Sequence, residues 1–70
     1  MQAREQGVIK RFYSVRHFGF IGRPGERDLF FHVADVDCAD SEIREGSSVV
    51  FSVTADELGR PRASVVEVTS

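Results

Sequence analysis

The chain of 70 residues contains no tryptophan, a single cysteine, a single tyrosine and only two prolines. With Cys38 alone, no intrachain disulfide can form, and the residue reads as a small, partly buried thiol in a reducing compartment. No apolar run approaches the ~20 residues of a membrane span. The opening Met1-Gln2-Ala3-Arg4-Glu5-Gln6 has no signal-peptide apolar region, so a cytoplasmic location is expected. His17, His32 and Cys38 fall at none of the paired spacings a metal site uses, so no metal and no other cofactor is expected. There is no G-x-x-x-x-G-K-[ST] phosphate loop and no persuasive Ser-His-Asp or Cys-His arrangement, which argues against an enzyme.

Nor is there an excess of positive charge. The formal net charge is -2, with a pI near 5.6, which taken alone argues against a nucleic-acid partner. The distribution argues otherwise. Residues 1–27 carry Arg4, Lys10, Arg11, Arg16, Arg23 and Arg27 against Glu5 and Glu26, a net +4. Residues 28–57 carry only Arg44 against Asp28, Asp35, Asp37, Asp40, Glu42, Glu45, Asp56 and Glu57, a net -7.

What the chain does have is phenylalanine, six of them, concentrated in Arg16-His17-Phe18-Gly19-Phe20-Ile21 and Leu29-Phe30-Phe31-His32-Val33. Side chains alternate across a strand, so Phe18 and Phe20 share a face, and by the same rule Phe30 and His32 share a face, opposite Leu29, Phe31 and Val33. Both stretches carry large apolar groups on two faces. A single domain spanning 1–70, with a core about 7–68, can cover only one of them. Rings left in water beside Lys10, Arg11 and Arg16 are what a stacking platform for unpaired bases requires.

The rest of the chain reads as short strands. Gly7 to Tyr13 is rich in β-branched and aromatic residues and forms the first strand, Phe18 to Gly22 the second and Leu29 to Val33 the third. Pro24-Gly25 marks the tight turn of an antiparallel hairpin. From Ala34 to Glu45 no period of two survives, and the segment reads as a long connection with one helical turn begun by Asp35 or Asp40. Val49 to Thr54 and Ala63 to Val68 are the last strands, joined by the loop Asp56 to Arg60. Five short strands closed on themselves give an all-β fold, a small five-stranded antiparallel barrel. Its expected interior is Ile9, Ile21, Leu29, Phe31, Val49, Phe51, Val53, Val65 and Val68.

These residues resemble the bacterial cold-shock domain, an OB-fold barrel. Gly7-x-Ile9-Lys10-x-Phe12 is similar to the family's opening strand. Arg16 to Ile21 and Leu29 to His32 are similar to its two ribonucleoprotein motifs. Glu45-Gly46, Val49-x-Phe51, Gly59, Pro61, Ala63 and Val65 are similar to its second half. The resemblance implies a monomer that binds single-stranded RNA or DNA, acts as a passive RNA chaperone or regulator of transcription or translation, and serves in cold or stress responses. Carried over by position, it places Lys10, Phe12, Phe18, Phe20, Phe30 and His32 on the binding face. The residues themselves add Arg11 and Arg16, with Arg60 and Arg62 extending the cationic track.

The departures matter as well. Arg11 stands where the family usually has tryptophan, Tyr13 where asparagine is common, and His17 where the first motif usually has glycine. Val33 replaces an aromatic and Ala34 a serine, and Cys38-Ala39-Asp40 lies where another base-stacker is expected. A guanidinium can stack on a base, so the platform implied is smaller and more cationic, with weaker stacking and steeper salt dependence. The rival reading is a small-barrel protein-interaction module that has lost much of its nucleic-acid affinity, its acidic segment meeting a basic surface. A third is a duplicated barrel that no longer binds anything.

Overall fold

A computed structural model describes residues 4–38 and 42–69. The strands are β1 (Glu5–Tyr13), β2 (Phe18–Gly22), β3 (Leu29–His32), β4 (Ser48–Ala55) and β5 (Pro61–Val68). They close into a barrel in the order β1-β2-β3-β5-β4, with β4 returning to β1. The pairs β1–β2, β2–β3, β1–β4 and β4–β5 are antiparallel, and the barrel closes through a parallel contact of β3 with β5 at Phe30 and Arg62. The all-β class and five-stranded OB-type closure expected from the sequence are therefore present.

The interior holds Ile9, Ile21, Leu29, Phe31, Ile43, Val49, Phe51, Ala63 and Val66, with Phe12, Val33, Val36, Cys38, Val53 and Val68 packed around them. Phe31 and Phe51 are the largest fully buried side chains. Room for Phe31 comes from Gly19 on the neighbouring strand. A Cβ there would lie 2.3 Å from the Arg11 carbonyl oxygen and 2.7 Å from the Phe31 ring. No side chain but hydrogen fits.

Two β-bulges set which side chains face in. In β1 the register runs from Ile9 opposite Ile21 to Arg11 opposite Phe20, so Lys10 is an extra residue. Strict alternation from Ile9 would send Arg11 and Tyr13 inward and Phe12 outward. The extra residue reverses this, and Phe12 turns in to stack on Phe31 at 6.3 Å between centroids and 13° between planes. Beyond the bulge the Phe12 N–H donates to a Glu45 carboxylate oxygen at 3.1 Å, and the turn holding Glu45 also pairs with Ile9 through Gly46 and Ser47.

The second bulge lies in β5, where Val65 and Val66 together face Phe51. Val66 takes the interior place expected of Val65, and Val65 points outward, 57% exposed, at a φ of 50°. That left-handed conformation costs an L-residue ~1–2 kcal/mol, and more trouble for a β-branched one. Arg4 spans the irregularity: its Nη2 donates to the carbonyl oxygens of Val50 and Val65, and its Nη1 pairs with Glu67 at 3.2 Å.

The connections hold smaller corrections. β3 ends at His32 rather than Val33, because the His32 Nδ1 accepts from the Ala34 N–H and starts a 3-10 turn over Val33–Asp35. The helical turn expected to begin at Asp35 or Asp40 instead begins after His32, whose ring caps it, and ends at Asp35, while Asp40 lies outside the described residues. Ile43, within the segment read as loop, plugs the core. Arg23 folds back against Glu5 and Glu26 and donates to the Arg27 carbonyl, fastening the β2–β3 turn to β1.

Candidate nucleic-acid interface

The outer face of β2 and β3 is built from register pairs. Phe18 lies opposite His32 and Phe20 opposite Phe30, while β1 contributes Tyr13 opposite Phe18 and Arg11 opposite Phe20. Directly paired residues share a face, so these six side chains form one patch. Its rings touch: Tyr13–Phe18 centroids are 5.2 Å apart, Phe18–Phe30 5.6 Å, Phe18–Phe20 5.9 Å and Phe20–Phe30 6.2 Å. Tilted and edge-on arrangements at these distances are the favourable ones for aromatic pairs, so the rings hold one another in place on the sheet face by direct contact. Tyr13, 44% exposed, belongs to the patch, although it is not among the binding residues expected from the sequence. The bulge at Lys10 brings it out, and no residue pattern announces that bulge.

Phe12, expected on this face, sits apart from it, against Phe31 on the inner side. His32 is on the face and exposed, its Nδ1 committed to Ala34, so Nε2 is the ring nitrogen left to meet a ligand. Around the patch the cations differ. Arg11 and Arg16 are exposed and make no ion pair among the described residues. Lys10 crosses over to Asp28 at 3.3 Å. Arg60 pairs with Asp56 at 2.9 Å. Arg62 lies 5.8 Å above the Phe30 ring and is paired with Asp35. The 3-10 turn Ser14–Arg16 carries Arg16, and it closes at His17 with a φ of 62°, the conformation that favours the glycine usual there.

Beside the rings, the β4–β5 loop is tightly tied. The Asp56 carboxylate accepts from the backbone N–H groups of Leu58 and Arg60 and from the Arg60 side chain, each at 2.9 Å. The bond from the Arg60 N–H is the main reason the Asp56 carboxyl titrates below the usual carboxylate range, with the Arg60 side chain and Leu58 N–H adding to it. Between this loop and the rings lies a cavity of about 380 Å³. A larger concavity, about 790 Å³, runs over Gln6, Val8, Arg23 and Ser48 and holds none of the rings. Among the described residues no group of three or more His, Cys, Asp or Glu is placed to hold a metal, and no helix is long and apolar enough to cross a membrane.

Comparison with known proteins agrees with this architecture. Residues 5–69 match the family model described as the 'Cold-shock' DNA-binding domain. Cold shock protein CspA of Staphylococcus saprophyticus is 35% identical over 65 residues, covering 91% of this chain and 98% of the relative. The protein of the same name from Staphylococcus aureus strain USA300 is 34% identical over the same length. Among solved structures, drosophila Unr CSD456 superposes with a TM-score of 0.82 at 30% identity, over 99% of this chain and 28% of that one. A closed five-stranded barrel, an outward patch of rings at the two motif strands and a family match along nearly all of its length place this chain in the cold-shock domain family.

Proposed function

We propose that the patch of Tyr13, Phe18, Phe20 and Phe30 binds single-stranded RNA or DNA by stacking unpaired bases. The observation that supports this reading best is the continuous contact of four outward rings, on strands whose other face already fills the core. A core needs one apolar face, and the second has no structural use. Bases stack on such rings without regard to sequence, each gaining ~1–3 kcal/mol. Arg11 and Arg16 meet the backbone phosphates, and His32 offers an N–H to a base edge. Lys10, Arg60 and Arg62 already face carboxylates, so their contribution to the cationic track is smaller than that of Arg11 and Arg16, which make no ion pair among the described residues.

The mechanism is capture. The open form of a weakly folded RNA exposes bases, the rings hold them, and the equilibrium moves toward the open form by the affinity difference alone. Neither nucleotide hydrolysis nor a cofactor enters. Such an activity fits a passive RNA chaperone in the cytoplasm under cold or stress.

An NMR titration of the labelled protein with a short oligo-dT, at low and then moderate salt, tests the reading. Shifts are expected at Arg11, Tyr13, Phe18, Phe20, Phe30 and His32, and Phe30→Ala should weaken binding roughly ten- to a hundredfold. Each phosphate contact adds about -0.7 to the slope of log affinity against log salt, so Arg11→Ala should flatten that slope by about this amount. A flat titration with a folded spectrum would remove single-strand binding and turn attention to protein partners.

A further inference from the structure

Of the four charged side chains that line the cavity beside the rings, Asp28 is paired with Lys10 and Asp56 with Arg60, and Arg62 is the one that stands against a ring. Phe20 and Phe30 line the cavity with Asp28 on the side of the hairpin, and Asp56, Arg60, Pro61 and Arg62 line it from the loop and β5. Arg62 is fixed there three times over. Its backbone is the β5 position that pairs with Phe30 across the barrel seam, the Asp35 carboxylate holds its Nη2, and its guanidinium carbon stands 5.8 Å from the Phe30 centroid. The guanidinium has five N–H donors, and Asp35 is the only ion-pair partner it has among the described residues. Its remaining donors are a planar fork carried on a fixed arm.

Resting on the single-strand reading above, we propose that Arg62 makes this cavity a guanine subsite, with Asp35 as its positioning residue. Guanine presents O6 and N7 side by side as two acceptors, the pattern a guanidinium fork matches with parallel bonds. Adenine places an N6 donor beside N7, which sets donor against donor, and pyrimidines have no N7. Phe20 and Phe30 supply the stacking surface every base shares, so selectivity at this place falls to Arg62. Lysine there would keep the charge and lose the fork.

Fluorescence anisotropy with the full chain and end-labelled heptathymidine tests this, one thymine at a time being replaced by guanine, adenine or 7-deazaguanine, which lacks N7. In one register guanine should bind roughly tenfold tighter than adenine, within the range expected of a bidentate contact, and 7-deazaguanine should lose most of that gain. R62K should bind heptathymidine within a few-fold of the unaltered protein but treat guanine, adenine and 7-deazaguanine alike. D35N, which frees the Arg62 charge, should bind heptathymidine at least as tightly as the unaltered protein while narrowing the ratio of guanine to 7-deazaguanine, whereas a purely structural role would weaken both. Heptathymidine binding with guanine and 7-deazaguanine equal at every position overturns the guanine subsite and leaves the stacking platform standing, and this arm needs no variant to fold. A guanine preference that survives R62K also overturns it. Loss of all binding at low salt overturns both readings together.

Discussion

At Lys10, β1 carries one residue more than β2 can pair; at Val65, β5 carries one more than β4 can pair. The first bulge leaves Lys10 and its neighbours outside the left-handed region, and its freed Phe12 N–H is met by Glu45. The second puts Val65 at a φ of 50° and needs Arg4 across it. The first exchanges side chains between faces: Phe12 goes in, Arg11 and Tyr13 come out beside the rings. The second brings Val66 into the core and leaves a valine in water. One irregularity thus serves the candidate interface at little conformational cost, while the other serves packing and stores strain. A bulge is cheap where turn chemistry absorbs its loose backbone group, and costly where a β-branched residue must take the turn.

The sharpest way to break the first arrangement is Gly19→Ala, opposite Phe12. The new methyl would meet the Arg11 carbonyl and Phe31 within van der Waals distance, and overpacking of this kind should cost about 3 kcal/mol in urea unfolding. A loss below about 1 kcal/mol would mean that the bulge, not the glycine, sets the strand spacing. Glu45→Ala should cost about 1 kcal/mol by removing the acceptor of the Phe12 N–H, with Phe12 ring resonances shifting in step. At the second bulge the sign should reverse. Val65→Gly relieves the left-handed strain, and despite glycine's greater freedom when unfolded it should stabilise by up to about 1 kcal/mol. If both substitutions destabilise alike, the contrast between the two bulges is wrong.

The smallest effect is acid. Asp56 titrates lower folded than unfolded, because the Arg60 N–H favours its charged form, so its contribution is present above the ordinary carboxylate range and is lost as pH falls through the folded value. Protection of the Leu58 and Arg60 amides, measured against the intrinsic exchange rate at each pH, should therefore fall below that range, while that of Phe12 and Arg4, at the bulges, changes only with the whole molecule. An equal loss of protection at all four would dissociate the loop from Asp56.

What the sequence discloses follows from where counting by twos holds. Phe18, Phe20, Phe30 and His32 sit on an uninterrupted hairpin, so parity places them on one face, and the structure does the same. Phe12, Arg11 and Tyr13 lie past an extra residue, and Val65 is displaced by another. A bulge leaves no mark in composition, so each inverts parity silently. Ile43 was hidden for a different reason: it reaches the core from a segment without strand periodicity, where its burial depends on tertiary contact alone. The Asp35–Arg62 pair joins residues 27 apart across the barrel seam, a contact visible only once β3 and β5 meet.

That seam has a consequence for how the molecule breathes. Phe18, Phe20 and Phe30 belong to one hairpin and would stay together if β5 lifted away from β3, whereas Arg62 would leave with β5. A ligand that rests on the rings alone therefore binds the opened and closed barrel alike and leaves the seam's fluctuation untouched. A ligand that also grips Arg62 binds only the closed form, and must slow amide exchange along β5 in proportion to its occupancy.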